Sequence, residues 1–177
     1  MKGKRIPETI FNVRVRDESI AGNNPYKWQN VSSDDIFRNK TILLFSLPGA
    51  FTPTCSTYQL PDFEKMFSEF KSKGVDEIYC LSVNDSFVMN AWGRSQNLEH
   101  VKLIPDGNGE FTRKMGMLVE KKNLTFGLRS WRYAALIHNC VVKEWFEEEW
   151  FEEEGFEDNC ENDPYEFTRP QYILKQI

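Results

Sequence analysis

The chain has 177 residues, of which 40% are hydrophobic and 28% charged, a balance typical of one soluble globular domain with a substantial core. Its first residues form no apolar leader, and no run approaches the roughly 18 apolar residues of a membrane span, so we expect a cytoplasmic protein without membrane contact. The net charge of −5 hides an asymmetry: residues 144–161 hold ten acidic side chains and no Lys or Arg, whereas the remainder carries 22 basic and 17 acidic residues. The absence of a basic stripe interleaved with aromatic residues excludes a nucleic-acid footprint.

The first third of the chain predicts short elements that lead into one buried strand. Residues 9–16 alternate apolar and polar side chains, which indicates an edge strand or one arm of a hairpin. A turn is expected at Gly22-Asn23-Asn24-Pro25, and residues 32–37 predict a short capped helix. Residues 41–46 (TILLFS) are apolar and partly β-branched, which predicts a buried strand ending before Pro48-Gly49.

The stretch after this strand, PGAFTPTC, ends at Cys55. Its two prolines forbid regular structure between them, and helical periodicity resumes after Pro53, with Thr54 as the expected N-cap. Cys55 is therefore expected in the first turn of a helix, where unpaired N–H groups and the positive end of the dipole favour a thiolate. The hydroxyl of Thr52 can meet the sulfur if the loop curls. This context indicates a nucleophile; the alternative is a small buried hydrophobe, as many free cysteines are.

The rest of the chain predicts alternating helices and strands. Helical spacing of apolar residues from residue 60 ends at Lys73-Gly74. The following elements are predicted: a buried strand at 76–83, a helix at 85–94 capped by Asp85, a strand at 101–105, a turn at 106–109, a helix at 110–115, and strands at 131–137 and 141–146 flanking a hairpin turn at His138-Asn139. A right-handed parallel crossover and an α/β sandwich follow from this order.

Pro48, Thr52 and Cys55 form the pattern Pro-x-x-x-Thr-x-x-Cys, which resembles the active-site motif of the peroxiredoxins, thiol peroxidases with a thioredoxin-like fold. The segment PGAFTPTCS is similar to the type II or Prx5-like branch of that family. Similar segments cover most of residues 5–146, including SVND-FVMNAWG, LIPDGNGEFT and GLRSWRYA. The resemblance implies an α/β thioredoxin-like fold with a central mixed sheet flanked by helices and an N-terminal hairpin.

The resemblance ends after Phe146, where the pentapeptide WFEEE occurs twice in tandem, at 145–149 and 150–154. We interpret residues 144–166 as an acidic insertion within a single domain that spans 1–177. In related proteins a helix opening with Val-Ser-Asp follows at this point; here Phe167-Thr168-Arg169-Pro170 takes its place.

The resemblance also implies roles for individual residues. The Cys55 thiolate attacks a peroxide and becomes a sulfenic acid, while Thr52 orients the peroxide and Pro48 shields the sulfur from water. The cation that stabilises thiolate and leaving oxygen is assigned to Arg132; Arg129 is the competing candidate, because a guanidinium fork is equally suitable at either position. The resemblance makes Phe51 and Phe126 apolar walls and contacts of a homodimer; ordinary core positions are the alternative reading.

The four cysteines, at 55, 80, 140 and 160, form no C-x-x-C pair, so we expect neither a zinc site nor any other metal or cofactor. Three routes for reducing the sulfenic acid stay open: Cys80, Cys160 or an external thiol. Cys80 is the tentative resolving residue, because its 25-residue spacing from Cys55 is similar to that of plant-type members. A bond between the two requires Cα atoms within about 7 Å, so the helix start would have to unwind.

The predicted function is a thiol peroxidase that reduces hydrogen peroxide and alkyl hydroperoxides and is recycled by glutaredoxin and glutathione or by thioredoxin. The alternative is a redox-sensing thiol protein or binding module without significant turnover, with the acidic segment as its docking surface. A general thiol–disulfide oxidoreductase is disfavoured because C-x-x-C is absent. His100 and His138 lie in no motif and are not expected to act as bases. Asp106-Gly107-Asn108-Gly109 lacks the ligand array of a calcium loop and predicts a tight turn.

Overall fold

The computed structural model describes residues 1–149 and 163–177. Residues 150–162, which contain Cys160, the second WFEEE pentapeptide and most of the predicted acidic insertion, lie outside the described residues. The strands are β1 (Ile10–Arg16), β2 (Tyr26–Ser32), β3 (Thr41–Ser46), β4 (Glu77–Ser82), β5 (Lys102–Pro105), β6 (Leu118–Lys121), β7 (Gly127–Ser130), β8 (Tyr133–His138) and β9 (Val141–Glu147). The helices are α1 (Ser33–Phe37), α2 (Leu60–Lys65), α3 (Phe67–Ser72), α4 (Ser86–Ser95), α5 (Glu110–Lys114) and α6 (Pro170–Leu174), with a π-helical segment at Cys55–Gln59 and a 3-10 turn at Lys122–Leu124.

A five-stranded mixed sheet in the order β5-β4-β3-β8-β9 forms the centre of the molecule. The strands β3, β4 and β5 run parallel, whereas β8 is antiparallel to β3 and β9 is antiparallel to β8. The hairpin of β1 and β2 and the pair β6–β7 form separate two-stranded sheets. The predicted thioredoxin-like α/β fold and N-terminal hairpin are confirmed.

Both faces of the central sheet are covered, which explains why β3 is apolar at successive positions. Ile42 and Leu44 belong to one core cluster, with residues of α1 and α5. Leu43 and Phe45 belong to the cluster on the other face, which is packed by α2, α3, α4 and α6 and also contains Cys55. The ring of Phe45 stacks on Phe63 of α2 with centroids 4.0 Å apart, so the helix that follows Cys55 rests directly on β3.

Several predicted boundaries differ from the structure. The helix predicted from residue 60 to Lys73 is interrupted at Met66, whose φ of −96° and ψ of 14° leave the helical region, so two short helices replace one. The β8–β9 turn is Asn139-Cys140, one residue later than predicted; both residues have positive φ, as a two-residue hairpin turn requires. β9 continues to Glu147, so the acidic insertion predicted at 144–166 begins inside a strand.

The predicted caps of α1 and α4 and the predicted turn at 106–109 are confirmed. Ser32 and Asp35 form a reciprocal capping box at the start of α1, and the Asp85 carboxylate accepts from the first N–H groups of α4. The carboxylate of Asp106 accepts from the backbone N–H groups of Phe111 and Thr112, so the turn at 106–109 caps α5. Within 1–149 and 163–177, no helix is long and apolar enough to span a membrane.

Candidate active site

Cys55 lies at the carboxyl end of the central strand β3, where a loop and a new helix begin. Helical conformation starts at Pro53, so Cys55 is in the first turn, as predicted, and its side chain is fully buried. The prediction that Thr54 is the N-cap is wrong: Thr54 has helical φ and ψ of −62° and −40°, and its side chain makes no capping hydrogen bond. Thr52 instead precedes the first helical residue, and its carbonyl accepts from Ser56 N–H at 3.0 Å.

The first helical turns are π-helical from Cys55 to Gln59, with the Leu60 N–H bonded to the Cys55 carbonyl. One extra residue in such a turn changes which side chains share a face of the helix, and π-bulges are frequent at functional sites. Here the side chains of Cys55 and Gln59 meet the same group, Nη1 of Arg132. This nitrogen lies 3.6 Å from Cys55 Sγ and also donates a close hydrogen bond to Gln59 Oε1.

The sheet topology explains why Arg132 reaches Cys55 over 77 positions of sequence. Arg132 directly precedes β8, and β8 runs antiparallel to β3, so Ser46 at the end of β3 pairs with Tyr133 at the start of β8. The two ends therefore meet at the same edge of the sheet. Only 1% of Arg132 is exposed. Burial by itself lowers the pKa of this guanidinium, but the negative charges of Cys55 and Asp163 outweigh burial and hold its pKa above the ordinary value.

Arg129, the competing candidate, points elsewhere. Its Nε donates to the Phe126 carbonyl at 3.1 Å and its Nη1 donates to the Val83 carbonyl at 3.3 Å. Burial without a carboxylate partner lowers its pKa. A Cβ placed on Gly49 would lie 3.0 Å from Arg129 Nη1, so this guanidinium packs behind the loop that carries the motif. The structure therefore brings Arg132 to the sulfur and gives Arg129 a position behind the loop.

The hydroxyl of Thr52 donates to the Gly49 carbonyl at 2.8 Å, so its proton is engaged within the loop and its lone pairs stay available as acceptors. Pro48, which directly precedes Gly49, is buried. Phe51 adopts a positive φ of 64° and is 55% exposed, with its ring 6.5 Å from that of Trp92. Phe126 is half-buried with the Arg129 guanidinium 5.6 Å from its ring centre. Phe51 is thus a surface residue of the loop, not a core position.

Cys80 lies in the middle of β4, paired between Phe45 of β3 and Leu103 of β5, and is fully buried. Burial, together with the nearby Cys55 sulfur, raises the pKa of the Cys80 thiol well above its ordinary value. Cys55, Cys80 and Cys140 are all free thiols. Cys80 and Cys55 belong to the same buried cluster, on the face of the sheet that α2, α3, α4 and α6 cover.

Four residues that contribute to this site were not singled out from the sequence. Gln59 contacts Arg132 from within the π-helical turn, which the sequence pattern did not predict. Asn84, in the loop after β4, accepts from the Ala50 N–H at 3.0 Å and fixes the motif loop. Asp163 and Glu148 lie within residues 144–166, the predicted acidic insertion, and the charge pattern does not distinguish them from its other carboxylates. Asp163 accepts from Arg132 Nη2 at 2.5 Å, and the buried Glu148 carboxylate accepts from the backbone of residues 166–168.

The two histidines each contact a side chain from another element of the fold. His100 Nδ1 contacts the Glu64 carboxylate at 2.8 Å and His138 Nδ1 contacts the Thr41 hydroxyl at 2.9 Å, both at exposed positions away from the sulfur. Among the described residues, no group of three or more His, Cys, Asp or Glu side chains is arranged to hold a metal ion. The reactive groups of the site are a buried thiol, a buried guanidinium, an amide and a hydroxyl. Together they suit nucleophilic attack by sulfur with stabilisation of negative charge.

Comparisons with known proteins agree with this chemistry. The Redoxin family model matches residues 2–159. A peroxiredoxin of Rhizobium etli is 67% identical over 97% of this chain and 93% of its own length. The hybrid peroxiredoxin hyPrx5 of Haemophilus influenzae is 45% identical over 100% of this chain and 66% of its own length. The crystal structure of reduced Prx3 from Vibrio vulnificus in complex with hydrogen peroxide superposes with a TM-score of 0.82 at 31% identity, covering 99% of this chain and 98% of that one.

The fold, the motif loop and the relatives agree with one another. The family model matches most of the chain, and the similarity to the Rhizobium etli protein extends over nearly the whole of both sequences. The chain therefore belongs to the Redoxin family, in which it is a peroxiredoxin of the Prx5 type and a thiol peroxidase oxidoreductase.

Proposed function

We propose that this peroxiredoxin reduces hydrogen peroxide and small alkyl hydroperoxides through a sulfenic acid on Cys55. The thiolate attacks one peroxide oxygen, the O–O bond breaks, and the leaving oxygen takes up a proton to depart as water or an alcohol. The sulfur is oxidised and the peroxide is reduced by two electrons. One external thiol then condenses with the sulfenic acid, which releases water and forms a mixed disulfide with Cys55. A second external thiol attacks this disulfide, so that the Cys55 thiol is restored and the two external thiols leave joined as a disulfide.

The observation that carries this proposal is the 3.6 Å contact between Arg132 Nη1 and Cys55 Sγ inside a buried site. A guanidinium at this distance favours the thiolate and can stabilise charge on the leaving oxygen. Two buried donors of the same site, Arg132 Nε and Gln59 Nε2, have no hydrogen-bond partner among the described residues, so this polar site has donor capacity that the described residues do not use. Thr52 retains acceptor capacity for the peroxide O–H. The bound hydrogen peroxide in the Vibrio vulnificus structure supports the choice of substrate.

For the reductive half, we propose that an external thiol, glutathione with glutaredoxin, carries most of the turnover, with thioredoxin as the alternative donor. The central position of Cys80 in the sheet and its raised pKa support this choice, because a resolving cysteine must reach the sulfenic acid as a thiolate. Cys80 then forms an intramolecular disulfide only slowly. Cys160, the third candidate, lies outside the described residues.

We further propose a homodimer whose interface includes Phe51 and Phe126. Phe51 is 55% exposed on the motif loop, and a large apolar side chain at such a position is a common interface feature. Sedimentation of the wild-type chain and of Phe51→Arg measures the association directly. A cytoplasmic location is proposed as well, because the four cysteines of the sequence are widely spaced and do not resemble a disulfide framework.

The decisive experiment compares the wild type with Cys55→Ser in a coupled assay of peroxide consumption with glutathione and glutaredoxin. We expect the serine variant to lose turnover completely while its circular dichroism is unchanged, because a serine hydroxyl stays protonated at neutral pH. The matched control is Cys140→Ser in the hairpin turn, which should retain full turnover. Appreciable turnover by the Cys55 variant would contradict the proposal, and a wild type that oxidises once and does not turn over would favour a redox sensor.

A further inference from the structure

The chain returns to the active site after the acidic stretch. Asp163 Oδ1 accepts from Nη2 of Arg132 at 2.5 Å, so the guanidinium that meets Cys55 on one side meets a carboxylate on the other. Asp163 is 37% exposed, whereas Arg132 is 1% exposed. The carboxylate therefore lies at the outer rim of the site, between solvent and a buried cation.

A buried carboxylate holds this returning segment in place. Glu148, which directly follows β9, is 1% exposed. Its side chain accepts from the backbone N–H groups of residues 166–168 and from the Thr168 hydroxyl, the last at 2.7 Å. The Glu148 N–H itself donates to the Arg132 carbonyl at 3.2 Å. One residue thus connects the backbone of Arg132 to the segment that carries Asp163.

Tyr165 strengthens the same attachment. The Arg132 guanidinium carbon lies 5.6 Å from the centre of its ring, and that of Arg169 lies 5.2 Å from it. The Tyr165 hydroxyl reaches the Asp62 carboxylate of α2 at 3.5 Å. Burial, and then the charge of Asp62, raise the pKa of this phenol. The segment is therefore packed on Arg132 and joined to the helix that Cys55 begins.

Resting on the function proposed above, we propose that Asp163 is a positioning residue for the peroxidase reaction. Its carboxylate holds Nη2 of Arg132 outward, and the planar guanidinium then directs Nη1 at the Cys55 sulfur. A planar fork with one edge fixed has little freedom at the other, which is the advantage of arginine over lysine here. The negative charge of Asp163 has a second, opposing effect, because it offsets part of the positive charge that favours the Cys55 thiolate.

Two substitutions separate the two effects. Asp163→Asn keeps an oxygen acceptor for Nη2 and removes the negative charge. The pH midpoint of Cys55 ionisation should therefore fall by roughly half to one unit. The rate constant with hydrogen peroxide at full ionisation should change less than about twofold. Asp163→Ala removes the acceptor as well, so the rate constant at full ionisation should fall about tenfold, as expected when a group is misplaced by less than 1 Å. Glu166→Gln, an exposed carboxylate three positions on, is the matched control and should change neither quantity.

The midpoint is measured from the thiolate absorbance of each variant, after subtraction of the absorbance of the same variant that also carries Cys55→Ser. The rate constant is measured by stopped flow over a pH series. The ionisation measurement requires no peroxide, so an inactive wild type would refute the proposed function and leave this inference testable. An unchanged or higher midpoint in Asp163→Asn, or a wild-type rate constant in Asp163→Ala, would overturn the inference.

Thr168→Val tests the attachment without touching the site, since it removes one of the donors to Glu148 and conserves shape. It should lower the rate constant at full ionisation in the same direction as Asp163→Ala, and the double variant should be no slower than Asp163→Ala alone, because both changes act through the position of Arg132. Additive losses in the double variant would show that the segment does not act through Asp163.

Discussion

Replacing Arg132 with Gln tests the contact on which the mechanism depends. The change removes a buried positive charge 3.6 Å from the Cys55 sulfur and keeps a planar polar group in its place. With an effective dielectric constant of about 20, two unit charges at this distance attract by about 4–5 kcal/mol, which corresponds to about three pH units of ionisation. Asp163 already neutralises part of the guanidinium charge. We therefore expect the midpoint of Cys55 ionisation to rise by about two units.

The rate constant with hydrogen peroxide should fall further than the loss of thiolate alone explains. At a pH where the variant is fully ionised, a residual loss on the order of 10²-fold is expected, as for one lost donor to a developing oxyanion. Stopped-flow tryptophan fluorescence can follow the reaction, because the Trp92 indole N–H donates to the hydroxyl of Ser56, directly after Cys55, at 3.0 Å. The substitution leaves Asp163 without its partner, so the folded fraction must be established by circular dichroism before the rates are compared.

Two controls define what the result means. Arg132→Lys keeps a positive charge without the fork, so it should retain most of the thiolate and lose about tenfold in rate constant. Arg129→Gln should change the midpoint little, because that guanidinium donates to carbonyls behind the loop and not to the sulfur. A larger shift in Arg129→Gln than in Arg132→Gln, or a rate constant for Arg132→Gln within twofold of the wild type, would refute the assignment.

Thr52→Val removes the hydroxyl with little change of shape and should lower the rate constant with peroxide on the order of 10²-fold. The control Thr52→Ser keeps a hydroxyl and should retain most of the rate constant. A rate constant near that of the wild type in the valine variant would contradict a role for this acceptor. Cys80→Ser should leave turnover with glutathione and glutaredoxin within about twofold, and peptide mapping of the wild type after one equivalent of peroxide should show only a minor Cys55–Cys80 disulfide. A dominant Cys55–Cys160 disulfide, or an equal loss of turnover with both reductants in Cys80→Ser, would show that the route of reduction is different.

Much of the fold is determined by local sequence. Some elements are specified by interactions within a few residues and were predicted at their observed places. These are the apolar strand β3, the helices capped by Ser32 and Asp85, and the turn at Asp106. The interruption at Met66 was not predicted, because apolar periodicity continues across it from α2 to α3. The bounds of β2, the second arm of the predicted hairpin, and the pair β6–β7 were not predicted from the residues, since their side chains are polar or mixed.

The position of Cys55 could also be predicted from the sequence, because the motif loop is continuous. A strand, two prolines and a helix start place Cys55 in the first turn of a helix, three residues after Thr52. Charge and chemistry do not distinguish Arg132 from Arg129 as the cation next to the sulfur. The antiparallel pairing of β3 with β8 does, because it brings Tyr133 beside Ser46 and so places the preceding residue, Arg132, at the sulfur. Gln59 depended on a π-helical turn, and Asp163 on a buried carboxylate 15 residues earlier in the chain, Glu148. Those contacts join residues far apart in sequence, and their geometry exists only when the sheet, the helix and the returning segment are packed together.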